Sequence, residues 1–232
     1  MNIVITGASR GMGKAIAIKF AQDANVFFLC ARSKDTLEKT AIEIRNASPQ
    51  STVYTYGADL TIKQQVVDFG KFCLQYGPPD ILINNAGYYL PGNCIDEPED
   101  TLDSMLRINL FSAYHLTRVL VPSMIQNKSG HIFNICSIAS LKAYKGGGGY
   151  SISKFALNGF SMNLRQELLP HGIKVTAVFP GAVLTDSWGD FDNSQNRIME
   201  ADDIAQMVYA STQLSKQAVV EEITIRPQLG DL

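Results

Sequence analysis

Short apolar runs rich in β-forming residues alternate with longer segments of helical period along the whole of this 232-residue chain. The strand candidates are Ile3–Thr6, Val26–Cys30, Thr52–Tyr56, Ile81–Asn84, His131–Cys136, Lys174–Phe179 and Val219–Ile225. Between them, pairs such as Ile16 and Phe20, or Leu37 and Ile44, recur at helical spacing. A strand that is apolar at nearly every position has both faces covered, and alternation with helices makes such strands parallel. The expected fold is therefore a doubly wound α/β domain, with a mostly parallel seven-stranded sheet and helices on both faces. The length suits one domain over residues 1–232, and a hydrophobic fraction of 46% is ample for its core.

Composition excludes several classes of function. The net charge is −2, from 20 basic and 22 acidic residues with no block of one sign, which argues against a nucleic-acid surface. Cys30, Cys73, Cys94 and Cys136 lie 21 or more residues apart, so neither a zinc site nor a disulfide framework is expected. His115, His131 and His171 are isolated in sequence and read as core or surface residues, which leaves no metal constellation. The carboxylate pairs Asp96/Glu97 and Glu221/Glu222 read as solvated faces. The first strand starts at Asn2, leaving no room for a leader, and no apolar run approaches the ~20 residues that span a bilayer. A cytoplasmic protein without membrane or nucleic-acid partners is expected.

Two segments break the alternation. Gly146–Gly149 is a run of four glycines ahead of a helix, the mark of a backbone that closely approaches some other group. Ala182–Glu200 is polar, aperiodic and 19 residues long, which suits either a functional lid or a mobile loop.

The first strand runs into Thr6-Gly7-Ala8-Ser9-Arg10-Gly11-Met12-Gly13, and a helix opens directly after it. Glycines permit the sharp turn and a close approach to a pyrophosphate, while the helix N-terminus offers unpaired N–H groups to that anion. The second strand ends at Ala31-Arg32-Ser33, with no acid before Asp35. An NAD site carries a carboxylate there for the ribose 2′-hydroxyl. Arg32 instead suits a 2′-phosphate, so the cofactor expected is NADP(H).

Tyr150 and Lys154 stand at i and i+4, on one face of a helix. A free phenol titrates near pH ~10, and a neighbouring ammonium stabilises its phenolate. Ser137 lies thirteen residues before Tyr150, just past the fifth strand, where its hydroxyl can hold a substrate oxygen against the phenol. Both features fall at the carboxyl ends of strands, where open α/β sheets bind ligands.

The spacing T-G-x-x-x-G-x-G, the Ser137…Tyr150-x-x-x-Lys154 set and several further motifs, all in order, resemble the short-chain dehydrogenase/reductase family over essentially the whole chain. The resemblance assigns Asp59 and Leu60 to the adenine, and Asn84-Asn85-Ala86-Gly87 to the adenine ribose. Pro180, Gly181, Val183 and Thr185 fall to the nicotinamide end, with Tyr150 and Lys154 also touching the cofactor. Arg10, inside the glycine loop, matches members that hold the 2′-phosphate. Asn109 matches the asparagine that holds a water on the lysine and completes a proton relay. The implied activity is that of an NADPH-dependent carbonyl reductase/alcohol dehydrogenase, with Tyr150 as general acid and base.

Family members form homodimers or homotetramers on two long helices, here about Glu99–Gln126 and Tyr150–Leu169. Leu106, Leu110, Tyr114 and Leu157, Phe160, Leu164 could stripe those helices for a partner or pack on their own sheet.

The expected substrate is a small carbonyl compound. Pro180–Val183, Thr185, Trp188-Gly189 and the tail from Val219 to Pro227 resemble bacterial sepiapterin reductases. On a pterin, Trp188 would stack and one of Asp186, Asp190 or Asp192 would face the amino-pyrimidine edge. Trp188 at a subunit contact is the other reading. A 3-oxoacyl or other small-ketone reductase is an alternative substrate class. A catalytically silent NADPH-binding regulator is the alternative of another kind, and it would have no need of Ser137, Tyr150 and Lys154 together.

Overall fold

A computed structural model describes residues 1–189 and 191–230, with Ser187 described by its backbone alone. Seven strands form one sheet: β1 (Asn2–Thr6), β2 (Val26–Ala31), β3 (Thr52–Gly57), β4 (Ile81–Asn84), β5 (Gly130–Ile135), β6 (Ile173–Pro180) and β7 (Glu222–Ile225). They lie in the order β3-β2-β1-β4-β5-β6-β7. Every pairing is parallel. The helices are α1 (Gly11–Phe20), α2 (Lys34–Ala47), α3 (Lys63–Leu74), α4 (Thr101–Leu106), α5 (Ser112–Asn127), α6 (Gly148–Leu168) and α7 (Ala201–Thr212). This is the Rossmann-like arrangement that the alternation of strands and helices implied.

Side-chain alternation along the strands explains the two-sided core. Ile3 and Ile5 of β1 pack with Ile16, Phe20, Leu37 and Val208 from α1, α2 and α7. Val4, between them, points the other way and packs with Phe69, Leu116 and Leu164 from α3, α5 and α6. Strand order reverses between β1 and β4, and the crevice that opens there lies at the carboxyl ends of the strands. Glycine loop, Arg32, Asp59, Asn85 and Ser137 all follow strand ends at that edge.

The helix expected over Glu99–Gln126 runs from Thr101 to Asn127 with a π-turn inside it. A π-turn at Arg107–Phe111 separates α4 from α5, with the Ser112 N–H donating to the Arg107 carbonyl. The turn accommodates one extra residue per bond, which a 3.6-residue period cannot register. β7 starts at Glu222 rather than Val219, because the residues before it reach β6 partly through the Thr176 hydroxyl on the Val220 carbonyl. β5 begins and ends one residue earlier than expected.

The Ala182–Glu200 segment folds back on itself. Its base is closed by a Val183–Met199 bridge, with Leu184 N–H on the Met199 carbonyl at 2.7 Å. A 3₁₀ turn spans Asp186–Trp188, and the Asn193 side chain bonds both the N–H and the carbonyl of Ile198. Glu221, expected on a solvated face, pairs with Arg165. Among the described residues no helix is long and apolar enough to cross a membrane. Among the same residues no group of potential ligands could hold a metal ion.

Candidate active site

The glycine loop is held against the end of β4. Gly7 sits at φ +66°, and a Cβ there would lie 2.9 Å from Asn85 Nδ2. A Cβ on Gly13 would lie 2.3 Å from the Gly7 carbonyl oxygen, so α1 can start this close to β1 only with glycine. Thr6 Oγ1 accepts from the N–H groups of Asn85 and Ala86, each at 3.0 Å. Asn85 Nδ2 donates in return to the Thr6 carbonyl at 2.9 Å. Thr6 and Asn85 thus fix the loop from the strand next door.

A cleft of about 850 Å³ follows the loop. Of the residues named from sequence, Gly7, Ser9, Arg10, Gly11, Met12, Arg32, Asp59, Leu60, Asn85, Ala86, Gly87 and Thr185 line it. Gly13 lies beneath it. Pro180, Gly181 and Val183 lie outside that lining: the Gly181 N–H bonds the Ile225 carbonyl at 2.7 Å, and Val183 is buried in the core. Lys14, Lys39, Ser33 and Thr36 line the cleft as well, together with the carboxylates Glu43 and Asp186, where sequence reasoning had named only Arg10 and Arg32 as cations. Lys14 pairs with Glu43 at 2.7 Å and Arg10 with Asp186 at 3.3 Å. Thr61, through its backbone N–H first and then its hydroxyl, holds the Asp59 carboxyl below the usual range, and the Arg32 charge adds to this. The glycine cradle at the start of α1 fits the pyrophosphate of a nicotinamide dinucleotide.

The cleft ends at Gly87, Tyr88 and Ile108, beside the second group of residues. A Cβ on Gly87 would lie 3.6 Å from Lys154 Nζ. Lys154 is buried and donates to the Ile135 carbonyl at 2.8 Å, with its ammonium 5.9 Å from the Tyr150 ring centre. Burial pushes its pKa down to about 8, against the opposing influence of Cys136. Burial also pushes the Tyr150 phenol up, and the Ser137 hydroxyl beside it acts in the other direction. Ser137 Oγ accepts from the Ala139 N–H at 3.1 Å, which orients the hydroxyl. The Ser151 hydroxyl donates to the Ala139 carbonyl at 2.9 Å, tying the first turn of α6 to the turn that carries Ser137.

Asn109 lies in the π-turn and is buried. Its Nδ2 donates to the Tyr88 carbonyl at 3.1 Å and to Ser153 Oγ at 2.9 Å, while its Oδ1 accepts from the Tyr88 N–H at 3.0 Å. The structure thus brings Asn109, Ser137, Tyr150 and Lys154 into one neighbourhood. Sequence reasoning missed Ser153, which links Asn109 to the Tyr150 carbonyl. It also did not single out Tyr89 as a partner of Tyr150, although Tyr89 packs edge-on against that ring at 5.0 Å. Ser153 carries no signal in the linear pattern.

Trp188 closes the 3₁₀ turn of the Ala182–Glu200 segment and packs on Phe191, ring centres 5.2 Å apart. Of the three candidate carboxylates there, Asp186 pairs with Arg10, Asp192 accepts from the Ser194 N–H at 2.8 Å, and Asp190 lies outside the described residues.

The sequence profile of the short chain dehydrogenase family matches residues 1–196. The chain is 35% identical to an uncharacterized oxidoreductase of Staphylococcus aureus strain MRSA252, over 97% of this chain and 96% of that one. It is also 35% identical to the sepiapterin reductase of Chlorobaculum tepidum, over 99% of this chain and 97% of that one. Among solved structures, the alcohol dehydrogenase of Thermococcus sibiricus complexed with 5-hydroxy-NADP superposes with a TM-score of 0.92 at 28% identity, covering 100% of this chain and 98% of that one. A metagenomic short-chain oxidoreductase in complex with NADP gives 0.84 at 32% identity, covering 98% and 97%. With a family match over most of its length and a glycine cradle leading to a serine, tyrosine and lysine, the chain belongs to the short-chain dehydrogenase/reductase family of NAD(P)-dependent oxidoreductases.

Proposed function

We propose that the protein is an NADPH-dependent carbonyl reductase in which Tyr150 gives the proton, Ser137 holds the carbonyl oxygen and Lys154 supplies the charge that steadies both. One observation carries this reading. The buried Lys154 ammonium and the Ser137 hydroxyl flank the Tyr150 phenol where the cleft ends. The nicotinamide cofactor, when bound, supplies the hydride. The proton passes from Tyr150 Oη to the substrate oxygen, and the phenolate left behind is stabilised by the Lys154 charge. Ser137, with its oxygen already bonded to the Ala139 N–H, keeps its own proton for the carbonyl oxygen. The side-chain polar atoms of Asn109 are engaged by Tyr88 and Ser153, so a relay at this residue falls to its main chain.

NADPH is favoured over NADH by charge. No carboxylate stands between the end of β2 and Asp35, and Arg32, which follows β2 directly, lines the cleft together with Arg10, Lys14 and Lys39. Asp186 would cede Arg10 to a 2′-phosphate. Two of the structural relatives are described with NADP or its 5-hydroxy form. Replacing Arg32 with Asp should lower kcat/KM for NADPH by about ten- to a hundredfold, the loss of one charge-assisted hydrogen bond before any repulsion, and raise the NADH/NADPH ratio. A parent enzyme that already prefers NADH would contradict the charge argument.

The substrate reading is a small ketone or 3-oxoacyl group. A pterin is the second reading, favoured by the full-length similarity to a sepiapterin reductase and by the half-exposed rings of Tyr89 and Tyr144 near Tyr150. NADPH oxidation with small ketones, a 3-oxoacyl thioester and sepiapterin separates these. Turnover of none of them would favour the silent NADPH-binding regulator. A homodimer or homotetramer built on α5 and α6 completes the proposal.

A further inference from the structure

The four glycines of Gly146–Gly149 close on a carboxylate that sequence reasoning had placed on a solvated face. The residue before the first turn of α6 is Gly147, which has no side chain to cap it. The first N–H groups of a helix need an acceptor, and here one comes from 52 residues away: the Gly149 N–H donates to Glu97 Oε2 at 3.0 Å. The glycines make room for that carboxylate. A Cβ on Gly148 would lie 2.4 Å from Glu97 Oε2, and one on Gly149 would lie 3.1 Å from Glu97 Oε1. A Cβ on Gly92 would meet the Glu97 Cβ at 2.8 Å. Gly92 and Gly147 form a parallel bridge, with the Gly92 N–H on the Gly146 carbonyl at 3.2 Å.

Tyr150 follows Gly149 directly. The segment that delivers Glu97 also delivers Tyr89, whose ring packs on Tyr150 and whose hydroxyl lies 3.4 Å from the Gly146 carbonyl. We propose that Glu97 is a positioning residue: as a remote cap it fixes the first turn of α6 and so aims the Tyr150 phenol at Ser137. This rests on the reading of Tyr150 as the proton donor. Glu97 touches neither substrate nor cofactor in this scheme, and it acts only through the Gly149 N–H.

Three variants separate the bond from the charge. Glu97→Gln keeps an oxygen within reach of the Gly149 N–H and loses the charge. Glu97→Asp keeps the charge and loses one methylene of reach, and Glu97→Ala loses both. Each is measured for amide hydrogen exchange over residues 146–154, for NADPH Kd, and for kcat with the best carbonyl found.

Glu97→Asp and Glu97→Ala should speed exchange and lower kcat about ten- to a hundredfold, as misalignment of a reacting group does, with NADPH Kd within about twofold of the parent. Glu97→Gln should match the parent in all three. Unchanged exchange or unchanged kcat in Glu97→Ala would overturn the proposal. So would a Glu97→Gln as impaired as Glu97→Ala, which would make the charge and not the bond decisive. Tyr150→Phe is the control for the underlying reading. If it turns over like the parent, the role given to Tyr150 falls, while the exchange data still decide whether Glu97 holds α6.

Discussion

Burial moves the Lys154 ammonium from 10.5 to about 8, because the charged form loses more solvation than its neighbours return. The proposed reduction needs that charge next to Tyr150, whose own proton is held more tightly than usual. The Lys154 proton is therefore the first of the two to leave as pH rises. NADPH-dependent kcat/KM should fall above a value near 8, an apparent constant belonging to the Tyr150–Lys154 pair. Lys154→Arg, if it retains activity, should carry the limb upward, since a guanidinium keeps its proton beyond pH ~12. A profile flat to pH ~10 would contradict this view of Lys154. The same shift sets the sign for stability. Between about 8 and 10.5 the unfolded chain holds a proton that the folded chain has released, so folding should become more favourable as pH rises through that window.

The Ala182–Glu200 segment is pinned at both ends of its bridge and tied to the glycine loop through Arg10 and Asp186, while Trp188 and Phe191 pack on each other between these anchors. If the segment serves as a lid that presents Trp188 to the substrate, Trp188→Ala should lower kcat/KM for the best carbonyl substrate several-fold and leave NADPH affinity and assembly state as they were. A change in assembly state instead would assign Trp188 to a subunit contact. How much of this could be read beforehand differs by element. The strands, the glycine loop and the Tyr150–Lys154 pair depend on local pattern, with apolar runs, a turn that only glycine permits and an i, i+4 spacing, so they stand where the sequence implied apart from the shifted bounds of β5 and β7. The π-turn holding Asn109 leaves no trace in a helical period. Ser153 and Glu97 act through hydrogen bonds to residues 44 and 52 positions away, which no local pattern records. The run Gly146–Gly149 did announce a close approach, but only the fold shows that Gly92 and Glu97 are what it approaches.

The parallel sheet covers its own strands with helices on both faces, yet α5 and α6 keep an apolar outer side. Leu157 and Leu164 turn inward to the core, whereas Tyr114, Ile152, Phe155 and Met162 are exposed. Tyr114, Val121, Ile125 and Phe160 line a groove of about 660 Å³ between the two helices. A second copy packed there would remove that surface from water. Light scattering should find at least a dimer, and Phe155→Glu should shift it toward the monomer; a monomeric parent would refute the proposed assembly. Within each copy, the dinucleotide cleft and the Ser137–Tyr150–Lys154 group meet at the carboxyl edge of the same sheet, and the proposed chemistry depends on that meeting. Tyr150→Phe removes one hydroxyl and leaves the cleft intact. Its kcat at saturating NADPH and carbonyl should fall by ~10² to 10⁴, the usual contribution of a general acid, with NADPH affinity by fluorescence unchanged. A variant that turns over within threefold of the parent would show that the proton comes from elsewhere.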